Sequence, residues 1–172
     1  MERIHVKVPG EQPQDREYMK QALALAEKGH GWVNPNPMVG AVLVKDGRII
    51  GEGYHTRYGQ LHAEREAFKN AAERGEETAG ADLYVTLEPC QMCAGALVQS
   101  RIDRVVIGSM NPKAGCAGSV LNLLQIAGFN HQVEIVQGVC QEECSVMLSD
   151  FFKELREKKK RKKHAPEQVG EK

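Results

Sequence analysis

The sequence lacks three features that mark large functional classes. Aromatic residues make up 5% of the chain, which excludes a broad base-stacking platform like that of the RNA-recognition motif. The apolar stretches, such as Val39–Val44, are far shorter than the roughly 20 residues of a membrane-spanning helix. The start, Met1-Glu2-Arg3, leads into no apolar segment, so we expect no signal peptide. Together these absences predict a cytoplasmic protein that does not use a membrane as partner.

Neither sign of charge is in excess overall, but charge is unevenly distributed. Lysine plus arginine and aspartate plus glutamate number 23 each, and residues 153–164 hold eight of the basic residues and two of the acidic ones. The remainder is mildly acidic, with 15 basic and 21 acidic residues. This asymmetry predicts contact between the basic segment and a polyanion, with a merely solubilising role as the alternative.

The order of elements predicts the fold class. Two apolar runs flank Asp46-Gly47, a strong hairpin signal, and alternating strands and helices follow. We expect a three-layer α/β/α domain with a central mixed five-stranded sheet. The predicted strands cover residues 39–44, 48–53, 82–87, 104–108 and 133–136, and the predicted helices cover 15–28, 62–74, 90–100, 118–127 and 142–160. Residues 1–14 are expected to form a flexible arm, 15–157 the domain and 158–172 a basic, disordered tail.

Two short motifs carry the chemistry. His62-Ala63-Glu64 lies at the start of one predicted helix, and Pro89-Cys90-Gln91-Met92-Cys93 lies at the start of another. One imidazole and two thiolates suit a single zinc ion with an open position for water, which zinc activates for hydrolysis. Glu64 can then carry protons without being a ligand. Alternatively, the cysteines are buried apolar thiols and the carboxylate belongs to a helix surface.

The combined pattern H-x-E…P-C-x-x-C is the signature of zinc nucleobase deaminases. The remaining cysteines, Cys116, Cys140 and Cys144, are not expected to be ligands. Five cysteines, two of them beside a histidine motif, indicate metal binding and free thiols rather than a disulfide framework.

The segment from Leu83 to Arg161 resembles the bacterial tRNA adenosine deaminase family. The resemblance is carried by the runs Leu83–Ala96, Ser100–Ile102, Asn111–Gly115, Phe129–His131 and Ser149–Phe152. It implies one zinc ion per subunit, a homodimer, and conversion of the wobble adenosine of a tRNA anticodon loop to inosine with loss of ammonia.

The first half is similar to a different family, the pyrimidine deaminase of riboflavin biosynthesis. The matching runs are Asn34–Gly40, Gly53–His55 and Tyr58-Gly59. The resemblance implies that Asn36 and His55 line the substrate pocket, whereas the tRNA family usually has asparagine at position 55. The riboflavin family usually has a longer insertion between its two ligand cysteines than the two residues found here, and we expect its common reductase domain to be absent. Both resemblances imply a cytidine-deaminase-like fold.

We therefore predict a zinc-dependent tRNA adenosine deaminase, with Glu64 as the catalytic residue and a tRNA anticodon stem-loop as partner. The residues assigned to substrate binding are Asn36, His55, Ala63, Asn111, Lys113, Asn130, His131 and Arg156. Three alternatives stay open: deamination of the phosphorylated pyrimidine of riboflavin biosynthesis, deamination of guanine or cytosine, and RNA binding by a zinc protein without turnover.

Overall fold

The computed structural model of the chain describes residues 8–164. Four helices lie within this range: α1 (Asp15–Glu27), α2 (Ala63–Glu73), α3 (Gln91–Gln99) and α4 (Gln141–His164). The five strands are β1 (Gly40–Lys45), β2 (Arg48–Tyr54), β3 (Asp82–Leu87), β4 (Arg104–Ser109) and β5 (Glu134–Gln137).

The five strands form one mixed sheet in the order β2-β1-β3-β4-β5. Strand β1 is antiparallel to both of its neighbours, while β3, β4 and β5 run parallel to one another. The β1–β2 hairpin turns at Asp46 and Gly47, which have φ values of 52° and 71°, as a tight turn of this sequence requires. The predicted mixed five-stranded sheet is confirmed.

Each face of the sheet is covered by a pair of helices. Helices α1 and α4 pack on one face through residues such as Met19, Cys144 and Val106. Helices α2 and α3 pack on the other face, where Ala67, Leu97 and other apolar side chains form the larger core. The three-layer architecture is therefore the one predicted.

Helices α1 and α2 approach the hairpin so closely that side chains are excluded at the contact. A Cβ atom built on Gly40 would lie 1.9 Å from the carbonyl oxygen of Ala22, and one on Gly53 would lie 2.4 Å from that of Ala63. Glycine is required at both positions because a methyl group would overlap backbone atoms. The N-terminus of α2 is thereby held against the end of β2.

One predicted helix is wrong. Residues 118–127 form turns and an isolated bridge between Ala117 and Asn122, not a helix. The backbone N–H groups of Ala117 and Ser119 donate to the Glu88 carboxylate, and Gly118 has a φ of 132°. The φ of Gly118 is incompatible with a helical backbone, and the hydrogen bonds to the buried carboxylate hold the segment in its turns.

The chain ends also differ from expectation. Within the predicted arm, residues 8–14 contact the body, since Val8 packs against one core and the Gly10 carbonyl accepts a hydrogen bond from buried Arg104. Helix α4 continues to His164, seven residues into the segment predicted as a disordered tail. Residues 1–7 and 165–172, on which the rest of these two expectations falls, lie outside the described residues. No helix in residues 8–164 is long and apolar enough to cross a membrane.

Candidate metal centre and active site

The two motifs meet at one edge of the sheet. Helix α2 begins shortly after β2 and α3 begins shortly after β3, with His62 and Cys90 as their N-cap residues. The Nδ1 atom of His62 lies 3.5 Å from the Sγ atoms of both Cys90 and Cys93. These three are the only group of potential metal ligands of this kind among the described residues.

The spacing of the three atoms fits a tetrahedral zinc ion. Zn–N and Zn–S bonds of ~2.05 and ~2.3 Å at a tetrahedral angle separate nitrogen from sulfur by about 3.6 Å. The observed separations are 3.5 Å, so the donor set needs almost no rearrangement to hold the ion. Three protein ligands also leave one tetrahedral position for water, as in catalytic rather than structural sites.

The electrostatics of the cluster favour an anionic sulfur at Cys90 and a protonated one at Cys93. Hydrogen bonds from the Cys93 thiol and the His62 imidazole lower the pKa of Cys90 to about 3. The same contact with Cys90, together with burial, raises the pKa of Cys93, so the two thiols share one proton. Both lie at the start of α3, where the helix dipole also stabilises negative charge.

Glu64 lies on the first turn of α2 and faces the same cleft. Its side chain is almost fully buried, and burial raises the pKa of its carboxyl group. A carboxyl group whose pKa is moved toward neutrality is suited to both accepting and donating a proton.

The cleft has a volume of about 170 Å³, and both motifs line it. That is smaller than the ~300–1,000 Å³ of sites for drug-sized ligands, so it favours a single ring system. Asn36 and His55, two of the predicted substrate-binding residues, also form part of its wall.

The side chains of Asn36 and His55 are fixed by hydrogen bonds. The His55 Nδ1–H donates to the carbonyl oxygen of Leu61 at 2.9 Å, which leaves Nε2 to accept from Asn36 Nδ2 at 3.2 Å. His55 is buried and its ring stands edge-on to that of His62 with centroids 5.7 Å apart. The pair is therefore pre-ordered beside the candidate metal ligands.

Of the other predicted substrate-binding residues, Ala63 and Asn111 line the cleft. Lys113 is exposed on the turn that follows Asn111, and its N–H donates to the Asn111 side chain at 3.3 Å. The structure therefore places these residues in or next to the cleft.

Three of the predicted substrate-binding residues, Asn130, His131 and Arg156, do not line the cleft. Asn130 accepts from Arg101, and His131 contacts the carbonyl oxygen of Ile102 at 2.7 Å, both just before β4 begins. Since the cleft lies where β3 ends and α3 begins, these two residues occupy the other edge of the sheet. Arg156 is exposed on the last part of α4. The single chain does not unite these three residues with Asn36 and His55.

Sequence reasoning missed Glu88, a buried residue that lines the cleft. Its carboxylate accepts hydrogen bonds from the backbone N–H groups of Asn111, Ala117 and Ser119 and from the Ser119 hydroxyl. A Cβ atom on Gly115 would lie 2.0 Å from this carboxylate. The available signal was a carboxylate at the end of a continuous apolar strand, directly before the proline of the cysteine motif.

The other three cysteines, Cys116, Cys140 and Cys144, are buried and free, and none joins the metal group. Cys144, on α4, and Cys140, directly before it, pack in the core on that face of the sheet.

Comparison with known proteins identifies the site further. Residues 12–109, more than half of the chain, match the family described as the cytidine and deoxycytidylate deaminase zinc-binding region. The match includes both motifs and the candidate metal ligands.

Two kinds of relative are similar over most of the chain. The tRNA-specific adenosine deaminase of Bacillus subtilis is 48% identical over 86% of this chain and 94% of its own length. The riboflavin biosynthesis protein RibD of Actinobacillus pleuropneumoniae is 43% identical over 84% of this chain, but the match spans only 38% of that protein. A solved structure from work on A-to-I editing by tRNA:A34 deaminases is 36% identical, covers 77% of this chain and 99% of its own, and has a TM-score of 0.69.

Proposed function

Because the chain belongs to the zinc-binding cytidine and deoxycytidylate deaminase family, we propose that it is a hydrolytic tRNA adenosine deaminase. Its substrate is the wobble adenosine of an anticodon loop, which takes up water and loses ammonia to become inosine. The observation that carries the proposal is the similarity to a tRNA-specific adenosine deaminase over 94% of that protein's length. The volume of the cleft, about 170 Å³, agrees with a substrate that inserts one ring system, such as a single base.

The residues of the two motifs have two roles, metal ligand and proton carrier. His62, Cys90 and Cys93 would hold zinc, which when bound supplies the Lewis acidity that activates water. The Glu64 carboxylate takes a proton from the attacking water and delivers it to a ring nitrogen of adenine. The carboxylate then takes the proton of the hydroxyl group added to the ring carbon and passes it to the amino group, so that ammonia leaves, a carbonyl forms and the carboxylate is restored.

The wall formed by Asn36 and His55 orients the base. With its amide nitrogen engaged on His55, Asn36 presents its carbonyl oxygen as an acceptor for a group on the substrate. Ala63 and Asn111 contribute main-chain and side-chain surface from the other sides. Placing the reactive carbon correctly requires the base to leave its stack, which costs least in a single-stranded loop.

Basic residues outside the cleft bind the RNA backbone. Lys113 is exposed at the cleft margin, and Arg156 begins the basic part of α4. Residues 158–163 of the same helix are all lysine or arginine and all exposed. Contacts of this kind give affinity that falls with salt concentration.

The protein acts as a homodimer in the cytoplasm under this proposal. In a homodimer, which the resemblance to the tRNA family implies, Asn130 and His131 at the far edge of one chain's sheet would contact RNA held in the cleft of the other chain. The five free thiols suit a reducing compartment.

A turnover assay tests the proposal. Zinc-loaded protein is given either an anticodon stem-loop with adenosine at the wobble position or the phosphorylated pyrimidine of riboflavin biosynthesis, and inosine and ammonia are followed. Inosine from the stem-loop is the expected result. Ammonia from the pyrimidine alone would overturn it.

The second candidate, deamination of that pyrimidine, is favoured by one specific observation. The hydrogen-bonded pair of Asn36 and His55 belongs to the half of the chain that resembles the riboflavin enzymes. The spacing of two residues between Cys90 and Cys93 favours the tRNA reaction instead.

A further inference from the structure

An exposed aromatic and cationic patch lies next to the cleft and is not explained by zinc chemistry. Trp32, the single tryptophan of the chain, is 63% exposed, and Tyr58 is 61% exposed. Isolated exposed apolar residues are common and carry no meaning alone. Here the two residues occur together in a chain that is otherwise poor in aromatic residues.

The patch is ordered by specific contacts. The guanidinium of Arg57 lies 5.5 Å from the centroid of the Trp32 ring, a cation–π arrangement. The backbone N–H of Tyr58 donates to the carbonyl oxygen of Trp32 at 3.1 Å. The loop after β2 and the loop after α1 are thus joined, and the indole keeps most of its surface accessible.

The patch is continuous with the cleft. Tyr54 and Thr56 line the depression around Trp32, and the residue between them, His55, has its side chain in the cleft wall. A Cβ atom on Gly29 would lie 2.6 Å from the His55 carbonyl oxygen, so the two loops are in direct backbone contact. The depression around Trp32 and the cleft are thus separated by little more than the backbone of residues 54–56.

The charge of the patch fits a polyanion. The depression is lined by Lys28, Trp32, Tyr54, Thr56, Arg57 and Gln60, a set with two cations and no carboxylate. His30, in the same loop as Trp32, lies 2.8 Å from Glu154 of α4, and Lys158 lies 2.6 Å from the same carboxylate. The basic end of α4 therefore starts beside this loop.

We propose that Trp32, with Arg57 against its ring, is a stacking platform for an unpaired base adjacent to the one that enters the cleft. This inference rests on the proposed function, because it assigns the patch to the same single-stranded RNA. Base–aromatic stacking tolerates any base sequence, since every base has a π face, while Arg57 and Lys28 face the adjoining phosphates. The loop that provides this platform belongs to the half of the chain that resembles a small-molecule enzyme.

The test compares Trp32→Ala, Trp32→Phe and Val146→Ala, the last a control at an exposed apolar position on α4. Zinc-loaded proteins bind two stem-loops that carry inosine at the wobble position and are therefore not consumed. One stem-loop is intact, and the other is abasic at the two nucleotides flanking the inosine. Inosine formation by the unaltered protein on the adenosine stem-loop is measured separately.

Trp32→Ala is expected to raise Kd for the intact stem-loop about 5- to 150-fold, the loss that corresponds to one stacked base. Trp32→Phe and Val146→Ala stay within about threefold of the unaltered protein, by the same stacking argument. On the abasic stem-loop, Trp32→Ala and the unaltered protein bind alike, because the stacking partner is gone. If Trp32 only supported the local fold, Trp32→Ala would lose the same affinity for the abasic stem-loop as for the intact one.

The outcomes separate the two proposals. Equal affinity of Trp32→Ala and the unaltered protein for the intact stem-loop, or an equal loss on both RNAs, would overturn the platform. If Trp32-dependent binding is found but the unaltered protein forms no inosine, the platform stands and the tRNA reaction is wrong.

Discussion

Two buried glutamates line the cleft, and their surroundings differ. Glu88 accepts three backbone N–H groups and a hydroxyl, all from the segment between β4 and β5. Glu64 has no comparable set of donors among the described residues, and burial raises the pKa of its carboxyl group. Under the proposed function, the same residue type serves as a scaffold at position 88 and as a proton carrier at position 64, and the number of donors distinguishes the two.

The largest expected effect comes from removing the proton carrier. Glu64→Gln keeps the shape of the side chain but cannot transfer protons, so kcat should fall by about 10²–10⁴-fold. Zinc content, measured by metal analysis, should stay at one ion per chain because Glu64 is not a ligand. Glu66→Gln on the same helix is the matched control, and retained turnover in Glu64→Gln would remove the assigned role.

Removing the scaffold carboxylate should have a different signature. Glu88→Gln loses a charged acceptor and gives its four donors an amide that can accept fewer hydrogen bonds, which should cost about 1–3 kcal/mol of unfolding free energy. Denaturant unfolding measures this change, with exposed Glu73→Gln as control. A variant with unchanged stability and greatly reduced turnover would show instead that Glu88 acts in the reaction.

A smaller effect is expected at the wall that resembles the riboflavin enzymes. His55→Asn lacks the outer ring atoms that carry Nε2, so it loses the contact with Asn36, and it installs the residue usual in the tRNA family. The ratio of kcat/KM for the stem-loop to that for the pyrimidine should rise about tenfold, near the ~1–3 kcal/mol that pocket contacts contribute to specificity. Comparable losses on both substrates would mean that His55 only supports the wall.

The smallest effect is expected at the basic end of α4. Replacing Lys158, Lys159 and Lys160 with glutamine should reduce the slope of log Kd against log salt by about 0.7 for each lysine that neutralises a phosphate in the complex. Titrations of the stem-loop at several salt concentrations measure this slope. An unchanged slope would assign these lysines to solvation alone.

Elements defined by interactions between residues close in sequence could be predicted, and elements defined by long-range contacts could not. The hairpin, β3 and the helices that carry both motifs were predictable because local turn signals and apolar periodicity define them; the predicted β3, residues 82–87, matches the observed strand. The segment 118–127 was not predictable in this way. It is organised by Glu88, about 30 residues earlier in the chain, and no local pattern encodes that contact.

In the candidate site, too, the residues placed by local motifs could be predicted and those placed by long-range contacts could not. His62, Cys90 and Cys93 meet as their motifs predict, because each motif begins a helix at the same edge of the sheet. The proximity of Asn36 to His55 came from family resemblance rather than from spacing. The position of Asn130 and His131 at the far edge depends on the register of β4 and β5, which the sequence pattern alone does not specify.

The contact between Gly53 and the Ala63 carbonyl has a consequence for how this protein can change over time. The start of α2 rests on bare main chain rather than on a layer of side chains. Any side chain at position 53 would push this helix start away from β2, and His62, its N-cap residue, would move with it. A glycine outside the ligand set is thereby closed to change in the same way as a ligand.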